Sequence, residues 1–166
     1  EIEMGKYTQS DHRISVTTPL GPDVLYLVSF NGREEFSRLF TYDLKLYSDE
    51  PTIAPEKIVG KNVTVSIQFP DDEPRHLSGV VSQFALVATH DRVTEYRAVV
   101  VPWLWMLTRT ADCRIFQEKT VPEIIEQIFG DLGFSDFDAG QIKGNHPKRE
   151  YCVQYRENDF DFVSRL

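Results

Sequence analysis

"KNVTVSIQF", residues 61–69, decides the fold class. Val63, Val65, Ile67 and Phe69 share one parity, and Asn62, Thr64, Ser66 and Gln68 share the other. A strict period of two places every apolar side chain on one face of an extended strand, whereas a helix would scatter them around its circumference. Residues 40–47 repeat the pattern more loosely, with Tyr42, Leu44 and Leu46 opposed by Asp43 and Lys45. Further strands are expected over 12–18, 24–30, 76–89 and 93–101. Gly21-Pro22, Asn31-Gly32, Asp49-Glu50-Pro51 and Asp71-Asp72-Glu73-Pro74 supply the expected turns between them. Gly79, inside "HLSGVVSQF", predicts a bulge or a sharp bend. About six short strands with frequent turns indicate an antiparallel barrel or sandwich.

The pattern changes at Pro102, where "PWLWMLTRTADCRIFQEKT" (102–120) begins. Trp103, Met106 and Leu107 sit at i, i+3 and i+4, which predicts a short helix started by proline. A second helix is expected over 120–129. Thr120 and Glu123 form a capping box, Ile124, Ile125, Ile128 and Phe129 give an apolar stripe, and Gly130 and Gly133 stop it. Residues 131–149 read as loop. Tyr151, Val153 and Tyr155 then alternate with Cys152 and Gln154. Asn158 is expected to cap a last helix that carries Phe162 and Val163 and reaches Leu166 in mid-pattern. A helix that short is marginal alone, so the chain is expected to be a fragment of a longer protein. The fold class is therefore mainly β with an α+β extension: an antiparallel β-barrel over 1–101, followed by the start of an α/β segment over 102–166.

Composition excludes several functions. The net charge of −8 disfavours phosphate backbones, so nucleic acid is not an expected partner. No apolar run approaches the roughly 18–20 residues that span a bilayer, and "EIEMGKYTQS" lacks a signal pattern. A soluble chain made in the cytoplasm is expected. Cys113 and Cys152 belong to no C-x-x-C pair and read as two buried thiols. Nucleotide-binding glycine loops, a G-x-S-x-G elbow and H-E-x-x-H are all absent from the sequence. His12, His76, His90 and His146 are scattered without ligand-like spacing. Asp71-Asp72-Glu73 reads as a solvated hairpin tip rather than a cation site. Asp159 and Asp161, about 160° apart on a helix, cannot share a substrate and instead favour the positive end of its dipole. Trp103 and Trp105 project to nearly opposite sides of a helix, which suits a wedge between packed bodies better than a flat ligand platform. The chain is expected not to be an enzyme, and no catalytic, cofactor-binding or metal residue and no cofactor is assigned.

The order of several segments carries a family likeness. "VSFNGREEFSRLFTYDLKLYS" (28–48), "IVGKNVTVSI" (58–67), "HLSGVVSQF" (76–84), "YRAVVVPWLWMLTRTADCRIFQEKTVPEII" (96–125) and "REYCVQYRENDFDFVSRL" (149–166) follow one another along nearly the whole chain. Together they resemble the N-terminal hub region of VgrG proteins, the spike components of type VI secretion systems, similar to the hubs of contractile phage tails. The resemblance implies a homotrimer with two related barrels per subunit, whose pseudo-sixfold surface meets the hexameric rings of the Hcp tube. It also implies a β-helical spike that is tipped by a PAAR-repeat protein and punctures target membranes, touching them through that tip only, together with contacts with baseplate components and adaptors and carriage of effectors, in some members as a C-terminal effector domain. Assembly on the baseplate and translocation into a target cell follow from the same likeness. Two alternatives keep other settings in play: a tail-hub protein of a contractile phage or related injection particle, and a β-barrel carbohydrate-binding module using Trp103 and Trp105.

Overall fold

The computed structural model describes residues 7–70 and 72–166. The chain divides after Trp103 into two compact units, the second running from Leu104 to Leu166. Each is described by itself.

The first unit holds six strands: β1 (Ile14–Thr17), β2 (Tyr26–Arg33), β3 (Thr41–Ser48), β4 (Asn62–Ile67), β5 (Arg75–Thr89) and β6 (Thr94–Val101). They form one antiparallel sheet in the order β1-β4-β5-β6-β3-β2, curled into a nearly closed barrel. The expected alternation supplies its core. Val63 and Val65 of β4, Leu44 and Leu46 of β3, and Tyr96, Ala98 and Val100 of β6 are all buried inside. Each buried valine or leucine among them contributes roughly 1.5–3 kcal/mol relative to exposure. The β4 pattern stops two residues early: the strand ends at Ile67, and Phe69 is exposed. Tyr96 also uses its hydroxyl, which accepts the Ile53 N–H at 2.9 Å and fixes the segment after β3 against the barrel.

Closure between the first and last strands of the sheet runs through one side chain. Gln9 is buried, and its Oε1 accepts the N–H of Val16 (2.9 Å) and of Leu27 (3.0 Å). Its Nε2 donates to the carbonyls of Val16 (3.3 Å) and Leu25 (3.1 Å). The primary amide reproduces the donor and acceptor of a peptide group, so Gln9 stands in for a rung of the ladder between β1 and the β2 region.

One glycine expectation changes, and the bulge alternative at a second is excluded. Asn31-Gly32 is not a turn but lies inside β2, where Gly32 pairs with Tyr42. A Cβ at Gly32 would stand 2.8 Å from both the Phe30 and the Tyr42 rings, so packing rather than turn chemistry selects glycine there. Gly79 is not itself bulged; the register shifts lie at Val81/Gln83 and Leu86/Ala88. It sits where β5 leaves β4 and takes up β6, and a Cβ there would come within 2.7 Å of the Val101 carbonyl oxygen.

A 3-10 helix, Trp103–Arg109, begins at the last residue of the first unit and supplies the first residues of the second. Of its residues Leu107 is buried and Leu104, one turn earlier, is half-buried, while Met106, expected on the packed face, is exposed. Trp103 and Trp105 are then about 120° apart rather than opposed, and both are half-buried. Strand β7 (Ala111–Lys119), helix α1 (Val121–Asp131), strand β8 (Arg149–Asn158) and helix α2 (Asp159–Arg165) follow. The α1 capping box is formed: Thr120 Oγ1 accepts Glu123 N–H at 3.3 Å, and Glu123 Oε2 accepts Thr120 N–H at 2.7 Å. Asn158 caps α2 by accepting Asp161 N–H at 2.7 Å. Strand β7 was not anticipated, and with β8 it forms a two-stranded antiparallel sheet.

Candidate functional site

The β7–β8 ribbon has two faces of opposite character. Phe116 pairs with Cys152 and Arg114 with Gln154 on its inner face, where Phe116 stacks on Phe162 of α2 with ring centres 5.8 Å apart. Gln154 and Asp159 are fully buried there. Asp159 Oδ1 accepts from Gln154 Nε2 at 2.7 Å and from Arg114 Nη1 at 3.0 Å. Arg114 also donates to Asp112 at 3.0 Å. Asp159 therefore stands in the first turn of α2, as expected for a dipole-compensating residue. Beyond that it forms a buried charge-assisted contact tying α2 to both strands.

The outer face is apolar and uncovered. Ile115 pairs with Val153 and Gln117 with Tyr151, with Tyr155 beyond. Ile115, Tyr151 and Tyr155 are 68%, 60% and 64% exposed. Among the described residues neither outer edge of the ribbon pairs with a further strand. Apolar side chains gathered on one face beside open strand edges are the composition of a surface made to be covered. Cys113 and Cys152 belong to these opposite faces, so Cys113 is exposed, correcting the expectation of two buried thiols.

A second apolar feature lies along α1. Ile125 and Phe129 from the helix and Phe137 and Ile142 from the following loop line a groove of about 320 Å³, rimmed by Glu126 and Asp138. Phe129 and Phe137 meet edge to face at 5.1 Å, and Asp138 Oδ1 accepts Gly140 N–H at 2.7 Å to hold the loop.

The third is the loop between β2 and β3. Phe36 is fully exposed, yet the residues around it are tied down. Glu35 accepts from Arg33 at 2.5 Å and pairs with Arg38 at 3.3 Å. Glu34 is bound by the Tyr42 hydroxyl and by Arg75 at 2.7 Å. The Tyr42 hydrogen bond and the Arg75 charge hold the Glu34 carboxyl below its usual range, while burial and Glu34 push the Tyr42 hydroxyl up.

The chemistry-bearing residues singled out in the sequence do not converge. His12 contacts Tyr7, His76 Nδ1 lies 2.9 Å from Ser66 Oγ, His90 stands 3.9 Å from Glu95, and His146 lines the α1 groove. Among the described residues no three His, Cys, Asp or Glu side chains form a metal-holding group. Asp72 and Glu73 are solvent-exposed, and Asp71 of the same hairpin lies outside the described residues. The Arg109 guanidinium lies 4.4 Å from the centre of the Trp105 ring, covering one stacking face. What the sequence left unmarked is the ribbon: only knowledge of β7 turns Ile115 and Tyr151 into one surface.

Comparison with known proteins places the fold. The phage tail baseplate hub family (GPD) matches residues 33–166. The chain belongs to this family. Among relatives of this hub chain, the type VI secretion system spike protein VgrG1a of Pseudomonas aeruginosa is 48% identical over 92% of the chain. VgrG1c of the same organism is 44% identical over 96%. The actin cross-linking toxin VgrG1 of Vibrio cholerae is 31% identical over 89%. The hub chain spans only 24%, 22% and 14% of those three proteins. Among solved structures, the E. coli c3393 protein is described as a component of the type VI secretion system with structural similarity to the T4 tail proteins gp27 and gp5. It superposes with a TM-score of 0.72 at 29% identity, over 93% of the hub chain and 42% of its own. A 43 kDa tail protein of prophage MuSo2 from Shewanella oneidensis shares the fold at 13% identity, with a TM-score of 0.59 over 92% of the hub chain and 48% of its own.

Proposed function

We propose that this hub chain is the first barrel and adjoining α/β segment of a type VI secretion spike, where it works as a structural part rather than an enzyme. The observation that carries this is the combined sequence and fold match to a secretion-system component across 93% of the chain. The geometry supports it: a nearly closed barrel resists deformation, and the uncovered β7–β8 face offers an assembly surface. In this role the chain forms part of a homotrimeric tip seated on the Hcp tube, with a PAAR-repeat protein at the far end of the spike and baseplate proteins around it. The protein is made in the bacterial cytoplasm, assembled on the secretion baseplate and translocated on firing, bringing effectors with it. Any enzymatic activity of the whole protein would belong to parts other than this hub segment.

Light scattering of the purified full-length protein is expected to give three copies per particle, and deletion of its gene is expected to abolish export of the tube protein. A monomer at micromolar concentration, or undiminished export, would sink the proposal.

A further inference from the structure

Phe36 combines two properties that rarely coincide on a free surface: complete exposure and a constrained backbone. Ser37, the next residue, holds a left-handed φ of 58°, and Glu35 bridges Arg33 on one side and Arg38 on the other. Each exposed ion pair is weak, and both share Glu35, so they bias the short loop that carries the ring toward this conformation. An aromatic held in its binding conformation loses little entropy when it docks, which is how interface anchors gain their strength.

The α1 groove has the matching properties. Its walls are Ile125, Phe129, Phe137 and Ile142, and about 320 Å³ readily admits one phenyl ring. Its rim carries Glu126 and Asp138, and no lysine or arginine is among its described lining residues. Around Phe36 the balance is reversed: Arg33, Arg38 and Arg75 face Glu34 and Glu35, leaving one net positive charge. This local inversion matters because two copies of a chain with net charge −8 repel overall and approach only where opposite patches meet.

We propose that Phe36 of one copy seats in the α1 groove of a second copy, with Arg33 and Arg38 against Glu126 and Asp138. The contact joins two different surfaces, so it repeats head to tail and is not the self-complementary contact of a two-fold dimer; the trimeric reading requires each step to turn by one third of a circle. This rests on the trimeric reading above and names a contact that holds the trimer together.

The test uses the full-length protein. Phe36→Ala removes only an exposed side chain, so the fold is retained and circular dichroism is unchanged. Dilution light scattering is expected to show trimer dissociation at a protein concentration roughly 30-fold or more above wild type, the scale of an anchor residue. Arg38→Glu and Glu126→Arg are each expected to weaken assembly, and the double variant is expected to restore it. Chains carrying Phe36→Cys and chains carrying Ile142→Cys, both in a Cys113→Ser background and produced together, should link through a short bismaleimide. A trimer unaffected by Phe36→Ala overturns the contact and leaves the hub reading standing. Linking only when both cysteines sit in one chain overturns it too, by placing the ring in its own chain's groove. A wild-type protein that is monomeric overturns the hub reading itself.

Discussion

Gln9 and Asp159 each hold together elements that no backbone ladder joins. Removing the Gln9 amide leaves the Val16 and Leu27 N–H groups and the Val16 and Leu25 carbonyls without it. Orphaned buried groups cost about 1–3 kcal/mol each before relaxation, so Gln9→Ala is expected to destabilise the barrel by about 3 kcal/mol in urea unfolding. Asp159→Ala strips Arg114 of a fully buried partner. It is expected to cost about 3 kcal/mol, read as lost hydrogen-exchange protection across β7 and β8. Neither role was legible from the sequence. Gln9 is one polar residue in a polar stretch, and its partners lie 7 to 18 positions away. Asp159 looked like an ordinary first-turn acid because its partner Arg114 lies 45 positions earlier.

Elements were legible where one periodicity governed them. Strand β4 buries Val63 and Val65 as its alternation requires, and α1 starts at the expected capping box. Strand β7 escaped because its parity is interrupted by the register shift between Asp112 and Arg114 and by Glu118 at φ 52°. Its exposed Ile115 and buried Phe116 also present apolar residues on both faces, which hides a period of two. Thr120→Ala is expected to cost about 1 kcal/mol by opening the α1 cap, measured as a lowered midpoint of thermal unfolding. The Glu123 carboxyl is held below its usual 4.5, chiefly by the Thr120 N–H, and the Glu157 carboxyl likewise by Arg165. A depressed folded-state pKa means that the unfolded chain binds the proton more readily. Stability from these groups is thus complete above about pH 4.5 and declines as pH falls below it. Melting temperature is expected to drop on acidification through that range, and Glu157→Gln is expected to flatten the slope. At the barrel corner, Gly79→Ala pushes a methyl group against the Val101 carbonyl and is expected to cost about 2 kcal/mol.

For the molecule as a whole, the uncovered ribbon face is the exposed apolar surface whose burial would favour association. Tyr151→Lys with Val153→Lys replaces two exposed apolar residues, so the inner-face contacts of Phe116 and Cys152 stay in place. The double variant of this chain is expected to self-associate less than the parent in analytical ultracentrifugation. In the full-length protein the same change is expected to impair assembly, because the covering partner then meets two ammonium groups. The barrel itself was visible in the sequence as six strands. The uncovered ribbon face was not, since Ile115 and Tyr151, thirty-six positions apart in sequence, share it only once β7 and β8 lie side by side.

Strand β5 runs fifteen residues without a break, paired with β4 over its first part and with β6 over its second. Its hydrogen bonds lie across the strand direction, so a push along β5 loads them in shear, many at once, and peels none of them singly. A load carried along β5 is therefore shared between its two neighbours, β4 and β6, and does not fall on a single pair of strands.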